Sequence, residues 1–187
     1  MTSLVGKIVA CHQALSKAGI SHAFGGALAL AWCTKSARGT IDIDINIFVT
    51  AERSDEVLSV LPAHVRVTPD AKKMLNRESQ VRLWWDSTPV DIFLNNTSFH
   101  EEASQRVVLE EFSGVMMPFL SCSDLAVFKA YYNRTKDWAD LEAMQEAGTL
   151  DLEYVICVIR EYLGNDDERM QRLKAVSYTH LTLPTIA

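Results

Sequence analysis

Cysteine, positive charge and long apolar runs are all scarce in this sequence of 187 residues. The four cysteines, Cys11, Cys33, Cys122 and Cys157, stand far apart with no CxxC pair and no Cys/His cluster. Neither a structural zinc site nor a disulfide framework is indicated by that spacing. They read as small apolar core residues in a reducing cytoplasm. Lysine and arginine number 18 against 24 aspartates and glutamates, a net charge of −6. That balance excludes avid, sequence-independent DNA binding, which rests on many cationic contacts to phosphates. The opening stretch, MTSLVGKIVACHQALSKAG, interleaves polar side chains at helical spacing, which fits an amphipathic helix better than a signal peptide. No later run reaches the length of about 18 apolar residues that a membrane-spanning helix needs. No internal repeat or low-complexity linker is present.

What is present suggests one well-buried domain with a helical annex. Residues 4–18 carry Leu4, Ile8, Cys11 and Leu15 on one helical face. A turn at Gly19 leads into a short strand ending at Phe24, Gly25 and Gly26 suit a tight turn, and Ala27 to Cys33 suit a buried helix. The strand DIDINIFV follows, then a helix over Glu52 to Leu61 stopped by Pro62 and a strand HVRVTP stopped by Pro69. Lys72 to Arg77 is a short basic stretch. SQVRLWW and PVDIFLN flank DSTP as a hairpin, FHEEASQR is helical, and VVLEEF and VMMPFL form a second strand pair. From about residue 121 four helical patterns follow one another.

The last twelve residues, VSYTHLTLPTIA, contain no charged side chain apart from His180 and break from the helical pattern before them. One choice of codons for residues 176–185, GTC TCT TAT ACA CAT CTG ACG CTG CCG ACG, reads as a transposase-library adapter. Residues 176–187 are therefore expected to be a translated artefact, the other reading being a C-terminal strand in VSYTHLTL. The expected division is 1–120 for the α/β core and 121–175 for the helical part.

The chemistry concentrates in GTIDIDIN, residues 39–46. In a strand, Ile41, Ile43, Ile45 and Ile47 share one face, and Asp42, Asp44 and Asn46 the other. Neighbouring carboxylates repel unless water, a cation or a donor compensates them. Asp91 lies in the second strand of the predicted hairpin and can add a third acid. Three converging carboxylates suit Mg²⁺, which takes oxygen ligands and commonly bridges protein carboxylates to substrate phosphates. Upstream, Gly25 and Gly26 precede a helix N-terminus, where backbone N–H groups and the helix dipole favour a phosphate. Taken alone those glycines fit turn geometry equally well.

The ordered set, HAFGGALALAWCTKSARGTIDIDINIFV followed by Asp91 in TPVDIFL, resembles the minimal nucleotidyltransferases of the polymerase-β superfamily. Arg38 and Thr40 stand in RGTIDID, close to an R-x-T-x-D-x-D form, while Ala27 takes the place of the serine found in Gly-Ser variants. Downstream, DLAVFKAYYNRTKDWADLEAM is similar to the K-x(4)-R-x-K-D-x-x-D-L element of the AbiEii-type toxin branch. The resemblance covers roughly residues 20–147. It implies an α+β fold, a small mixed β-sheet core flanked by helices with a helical C-terminal part. It also implies transfer of a nucleoside monophosphate from an NTP to an acceptor hydroxyl and, through the toxin branch, a role as the toxin of a toxin–antitoxin pair with a cognate antitoxin.

In that reading Asp42, Asp44 and Asp91 are catalytic and hold two Mg²⁺ ions, and Asp91 helps accept the proton of the nucleophile. Gly25 and Gly26 cradle the triphosphate, Lys129 offsets its charge, and Asp137 is an acid near the nucleotide or acceptor. Arg38 fits a substrate contact or a salt bridge equally. Lys129, Arg134, Lys136 and Asp137 also fit a solvated helix face. Trp84, Trp85, Phe93, Tyr131 and Tyr132 read as packing residues. The other classes left open are a non-catalytic nucleotide-binding or antitoxin-like partner protein and an aminoglycoside-type resistance enzyme. A basic patch at Lys72, Lys73, Arg77 and Arg82 leaves RNA open as acceptor.

Overall fold

A computed structural model describes residues 2–36 and 39–179. Arg38 and residues 180–187 lie outside the described residues. The chain divides into two compact units, Met1–Leu28 with Arg38–Leu120, and Ala29–Ala37 with Ser121–Ala187. Among the described residues no helix is long and apolar enough to cross a membrane.

The first unit carries a seven-stranded mixed sheet. In chain order its strands are β1 (His22–Phe24), β2 (Ile43–Thr50), β3 (Val65–Arg66), β4 (Gln80–Trp85), β5 (Thr88–Asn95), β6 (Val108–Phe112) and β7 (Val115–Phe119). Across the sheet the order is β3-β4-β5-β2-β1-β7-β6. β2 runs parallel to β5 and β1 parallel to β7, and the remaining neighbours are antiparallel. The mixed sheet flanked by helices is the expected fold class.

The core follows the strand period of two. On β2, Ile43, Ile45 and Ile47 are fully buried, and the parallel register sets them against Val90, Ile92 and Leu94 of β5, also fully buried. Burying each such side chain is worth about 1.5–3 kcal/mol. Val81 and Leu83 of β4 continue the ladder opposite Ile92 and Val90. Ile41, expected to share this face, instead precedes β2 and is 72% exposed, because the strand begins only at Ile43.

Helix α1 (Leu4–Lys17) starts where the Ser3 hydroxyl accepts the Gly6 N–H, and it buries Ile8, Cys11 and Leu15. Its Lys7 is buried too, with Nζ donating to the Trp85 carbonyl at 2.8 Å and pairing with Asp86 at 3.0 Å. α2 (Gly26–Thr34) begins in this unit. α3 (Ser54–Val60) follows a 3₁₀ turn over Ala51–Arg53. The short basic stretch Lys72 to Arg77 is part of a helix, α4 (Pro69–Glu78). Thr68 caps it, Pro69 occupies the first helical position, and Ser79 ends it at φ 55°. α5 (Ser98–Ala103) completes the helices of this unit.

Two buried histidines link this unit to pH. His22 Nδ1 lies 2.8 Å from the Ile20 carbonyl and its Nε2 lies 3.0 Å from His12 Nδ1. A neutral His22 satisfies both by donating from Nδ1 and accepting at Nε2. Burial pushes His22 down to about 4 from the ordinary 6.5, against the Ile20 bond, with His12 adding a small repulsion. Burial likewise pushes His100 down to about 4, opposed by its bond to the Leu94 backbone. Both folded values lie below the unfolded one, so the unfolded chain binds more protons between pH 6.5 and 4. Stability is therefore full near neutrality and falls across that window, by on the order of 3 kcal/mol per histidine at most. Urea midpoints at pH 7 and pH 4.5 should differ clearly, and by less in a His22→Gln/His100→Gln double variant. A fall of equal size in that variant would remove the histidines as its cause.

The second unit contains the remainder of α2 and the helices α6 (Cys122–Tyr132), α7 (Thr135–Glu146), α8 (Leu152–Leu163) and α9 (Glu168–Thr179). α9 runs into the segment set apart by its composition. Cys33 and Cys122, 89 residues apart, form a disulfide, which corrects the expectation that all four cysteines are separate apolar residues. Spacing along the chain could not reveal this pair, because the fold sets their Cα atoms 5.5 Å apart. The Thr149 hydroxyl donates to the Cys33 carbonyl at 2.9 Å and fastens the turn after α7 beside it.

Candidate functional site

The register that builds the core also builds an acid face. With Ile43 against Val90 and Ile45 against Ile92, Asp44 stands directly opposite Asp91 on the other side of the sheet. Asp42 sits one residue before β2, and the Thr40 hydroxyl pins it by accepting its N–H at 3.1 Å and donating to its carbonyl at 3.2 Å. Thr40 thus sets the entry angle of the strand.

The fourth member is Arg82 of β4. Trp85 faces Thr88 across the short turn at Asp86–Ser87, and that pairing carries Arg82 opposite Asp91. The guanidinium grips Asp91 with two bonds, Nε to Oδ1 at 2.8 Å and Nη2 to Oδ2 at 2.7 Å. Nη2 also lies 3.5 Å from Asp42 Oδ2. The bond to Asp91 raises the Arg82 pKa, and the charges of Asp91, Asp42 and Asp44 add to the effect, so the side chain is a fixed cation. Asp91 is almost closed to solvent while Arg82 is half exposed. Sequence reasoning counted Arg82 only as part of a basic patch. Hairpin register was the available signal, since pairing Trp85 with Thr88 sets Arg82 across from Asp91.

The glycine turn meets the same acids. The Gly25 N–H donates to the Asp44 carbonyl at 3.0 Å, so this group is spent within the protein. α2 begins at Gly26, whose φ of +52° is one that side-chain-bearing residues rarely adopt. A Cβ on Gly26 would fall on the Asp44 carboxylate, and one on Gly25 would lie 2.8 Å from Asn46 Nδ2. Gly26 is what lets the start of α2 touch the acid face. The first N–H groups of a helix have no intrahelical partner, so an anion can be received there, from Gly26 onward.

Among the described residues, no three His, Cys, Asp or Glu side chains are gathered closely enough to hold a metal ion as they stand. The donor chemistry nonetheless fits a hard divalent cation, because three carboxylates lie along one short stretch of one face. Arg82 offsets one unit of their charge, through Asp91 and Asp42.

Lys129 and Asp137 belong to the second unit and are partners of one another. Lys129 Nζ donates to Asp140 Oδ2 at 2.7 Å and lies 3.8 Å from Asp137 Oδ1. Asp137 is fully buried and takes two bonds from the Arg134 guanidinium, at 2.6 and 3.0 Å, while accepting the Arg134 N–H as a helix cap. These charges are already matched inside their unit. The solvated helix face considered from the spacing is corrected for Lys129 and Asp137, both of which are buried.

A family model described as "Nucleotidyltransferase of unknown function (DUF6036)" matches residues 23–182. No curated protein matches the chain in sequence. Among solved structures, the solution structure of the antibiotic-resistance factor ANT(2'')-Ia superposes with a TM-score of 0.58 at 16% identity, covering 95% of this chain and 96% of that one. The crystal structure of ANT(2'')-Ia in complex with adenylyl-2''-tobramycin gives 0.54 at 14% identity, covering 94% and 98%. An antigenic nucleotidyltransferase-like protein from Paracoccidioides brasiliensis gives 0.50 at 13% identity, covering 93% and 87%. At these identities the likeness is one of fold.

Proposed function

The chain belongs to the DUF6036 family of nucleotidyltransferases, and from that premise we propose that it transfers a nucleoside monophosphate from an NTP to an acceptor hydroxyl, releasing pyrophosphate. The observation that carries this reading is the contact of α2's first residue with Asp44, itself opposite Asp91. A phosphate-receiving helix start and an acid pair thereby share one spot. Asp42, Asp44 and Asp91 are the residues that would hold Mg²⁺, and Gly25 and Gly26 shape the turn that receives the triphosphate. A divalent cation bound there would offset the charge of the phosphates and of the leaving pyrophosphate. Asp91 would help accept the acceptor's proton. Lys129 and Asp137 serve the second unit's folding, since their charges are spent on Asp140 and Arg134.

The acceptor is the part that fold similarity leaves to experiment. The tobramycin adduct held by the structural neighbour makes an aminoglycoside hydroxyl one class to test. The K-x(4)-R-x-K-D-x-x-D-L helix pair supports the toxin-branch reading, which makes RNA a second class.

The full chain should be incubated with each α-³²P-labelled NTP, with Mg²⁺ or EDTA, and with tobramycin, total RNA or the protein alone as acceptor. Mg²⁺-dependent transfer of label to one class, with pyrophosphate release, is the expected result. NTP binding without pyrophosphate release under any of these conditions would replace this reading with that of a non-catalytic binding protein.

A further inference from the structure

We propose that Arg82 is the acid face's own counter-cation, a positioning residue that holds Asp91 in the metal-free protein and yields part of that grip when a divalent cation binds. The inference rests on the metal-dependent reading above and goes beyond it by assigning a role to a residue outside the acid set.

Three observations converge on it. Arg82 is the cross-strand partner of Asp91 and takes both of its carboxylate oxygens, a planar fork that a lysine cannot reproduce. The same guanidinium reaches Asp42, so one cation spans two of the three acids. Asp44 stands directly opposite Asp91, and its charge acts on the same guanidinium, so all three acids lie within its field.

Exposure decides whether the exchange is possible. Arg82 keeps 51% of its side chain in solvent, whereas Asp91 keeps 13%. A half-exposed guanidinium is readily rehydrated when displaced, so its grip is shallow. A nearly buried carboxylate, by contrast, needs some cation at all times. A divalent ion brings two charges where Arg82 brings one. Asp91 can give it one oxygen and keep the other on Arg82. The arginine thus offsets the repulsion between Asp91 and Asp42 and lowers the cation affinity of the acid face.

The test is Mn²⁺ binding to the full chain, followed by electron paramagnetic resonance of the free ion, with melting temperatures in EDTA and in Mn²⁺. Four proteins are compared: wild type, Arg82→Gln, Arg82→Lys and Lys17→Gln, the last losing one charge from α1 outside the acid face. Arg82→Gln should bind Mn²⁺ about tenfold tighter, the size expected when one positive charge is removed from beside a divalent ion. It should also melt lower than wild type in EDTA and gain more on adding Mn²⁺. Arg82→Lys should keep affinity within about threefold of wild type, and Lys17→Gln should match wild type. Equal or weaker Mn²⁺ binding by Arg82→Gln, with wild type binding normally, would overturn this inference and leave the proposed function standing. No Mn²⁺ binding by either protein would overturn both.

Discussion

Asparagine at position 44 is expected to abolish nucleotide transfer, with a loss of about a thousandfold or more in kcat, while the protein stays folded. The exchange is nearly isosteric and the side chain is only half buried, so the melting temperature should move by a few degrees at most. A thousandfold is about 4 kcal/mol of transition-state stabilisation, the scale on which a charge placed against a developing phosphate charge acts. Asp44 is the residue through which the strand, the facing Asp91 and the start of α2 all meet. Asp91→Asn should cost a similar factor through a different route, since it also frees Arg82. Transfer rates at saturating NTP, with melting curves alongside, separate lost chemistry from lost fold. Undiminished transfer by Asp44→Asn would sink the assignment of this face as the active site.

Removing Lys129 should act on stability instead. Lys129→Ala leaves the fully buried Asp137 and the nearly buried Asp140 without the ammonium between them. Breaking a buried ion pair from one side costs about 3–5 kcal/mol, because the abandoned charge stays desolvated. Arg134 still holds Asp137, so the shortest bond lost is the 2.7 Å one from Lys129 to Asp140. The urea midpoint of the full chain should fall accordingly, and a Lys129→Met/Asp140→Leu double variant should recover much of the loss. The role expected from the sequence predicts the opposite pattern, unchanged stability with a weakened NTP affinity. Equilibrium unfolding and NTP titration on the same variants decide between them.

How much of this was legible beforehand depended on the range of the interaction. Strand alternation in IDINIFV and PVDIFLN, capping residues and turn glycines are local. They placed β2, β5, α2 and the hairpin correctly. The position of Asp91 relative to Asp44 was anticipated only as convergence, because a parallel pairing between distant strands leaves no mark on either segment. Ile41 was misjudged since alternation says nothing about where a strand starts. α4 was missed because its apolar face is thin, with Leu75 its only buried residue. The Cys33–Cys122 pair is likewise a product of helix packing and not of spacing. Arg82 was within reach: local hairpin register would have found it.

One consequence of the β2–β5 pairing concerns how this protein can change over time. The alignment that seats Ile45 against Ile92 is the same one that seats Asp44 against Asp91. A slip by one residue would drive carboxylates into the apolar layer, and a slip by two would keep the layer but separate the acids. Selection on core packing and selection on the acid pair therefore act through a single geometric variable. Any substitution that leaves Ile45 seated against Ile92 leaves Asp44 opposite Asp91 without further cost. Substitutions around the pair can then alter the chemistry while the alignment itself is held by the buried ladder.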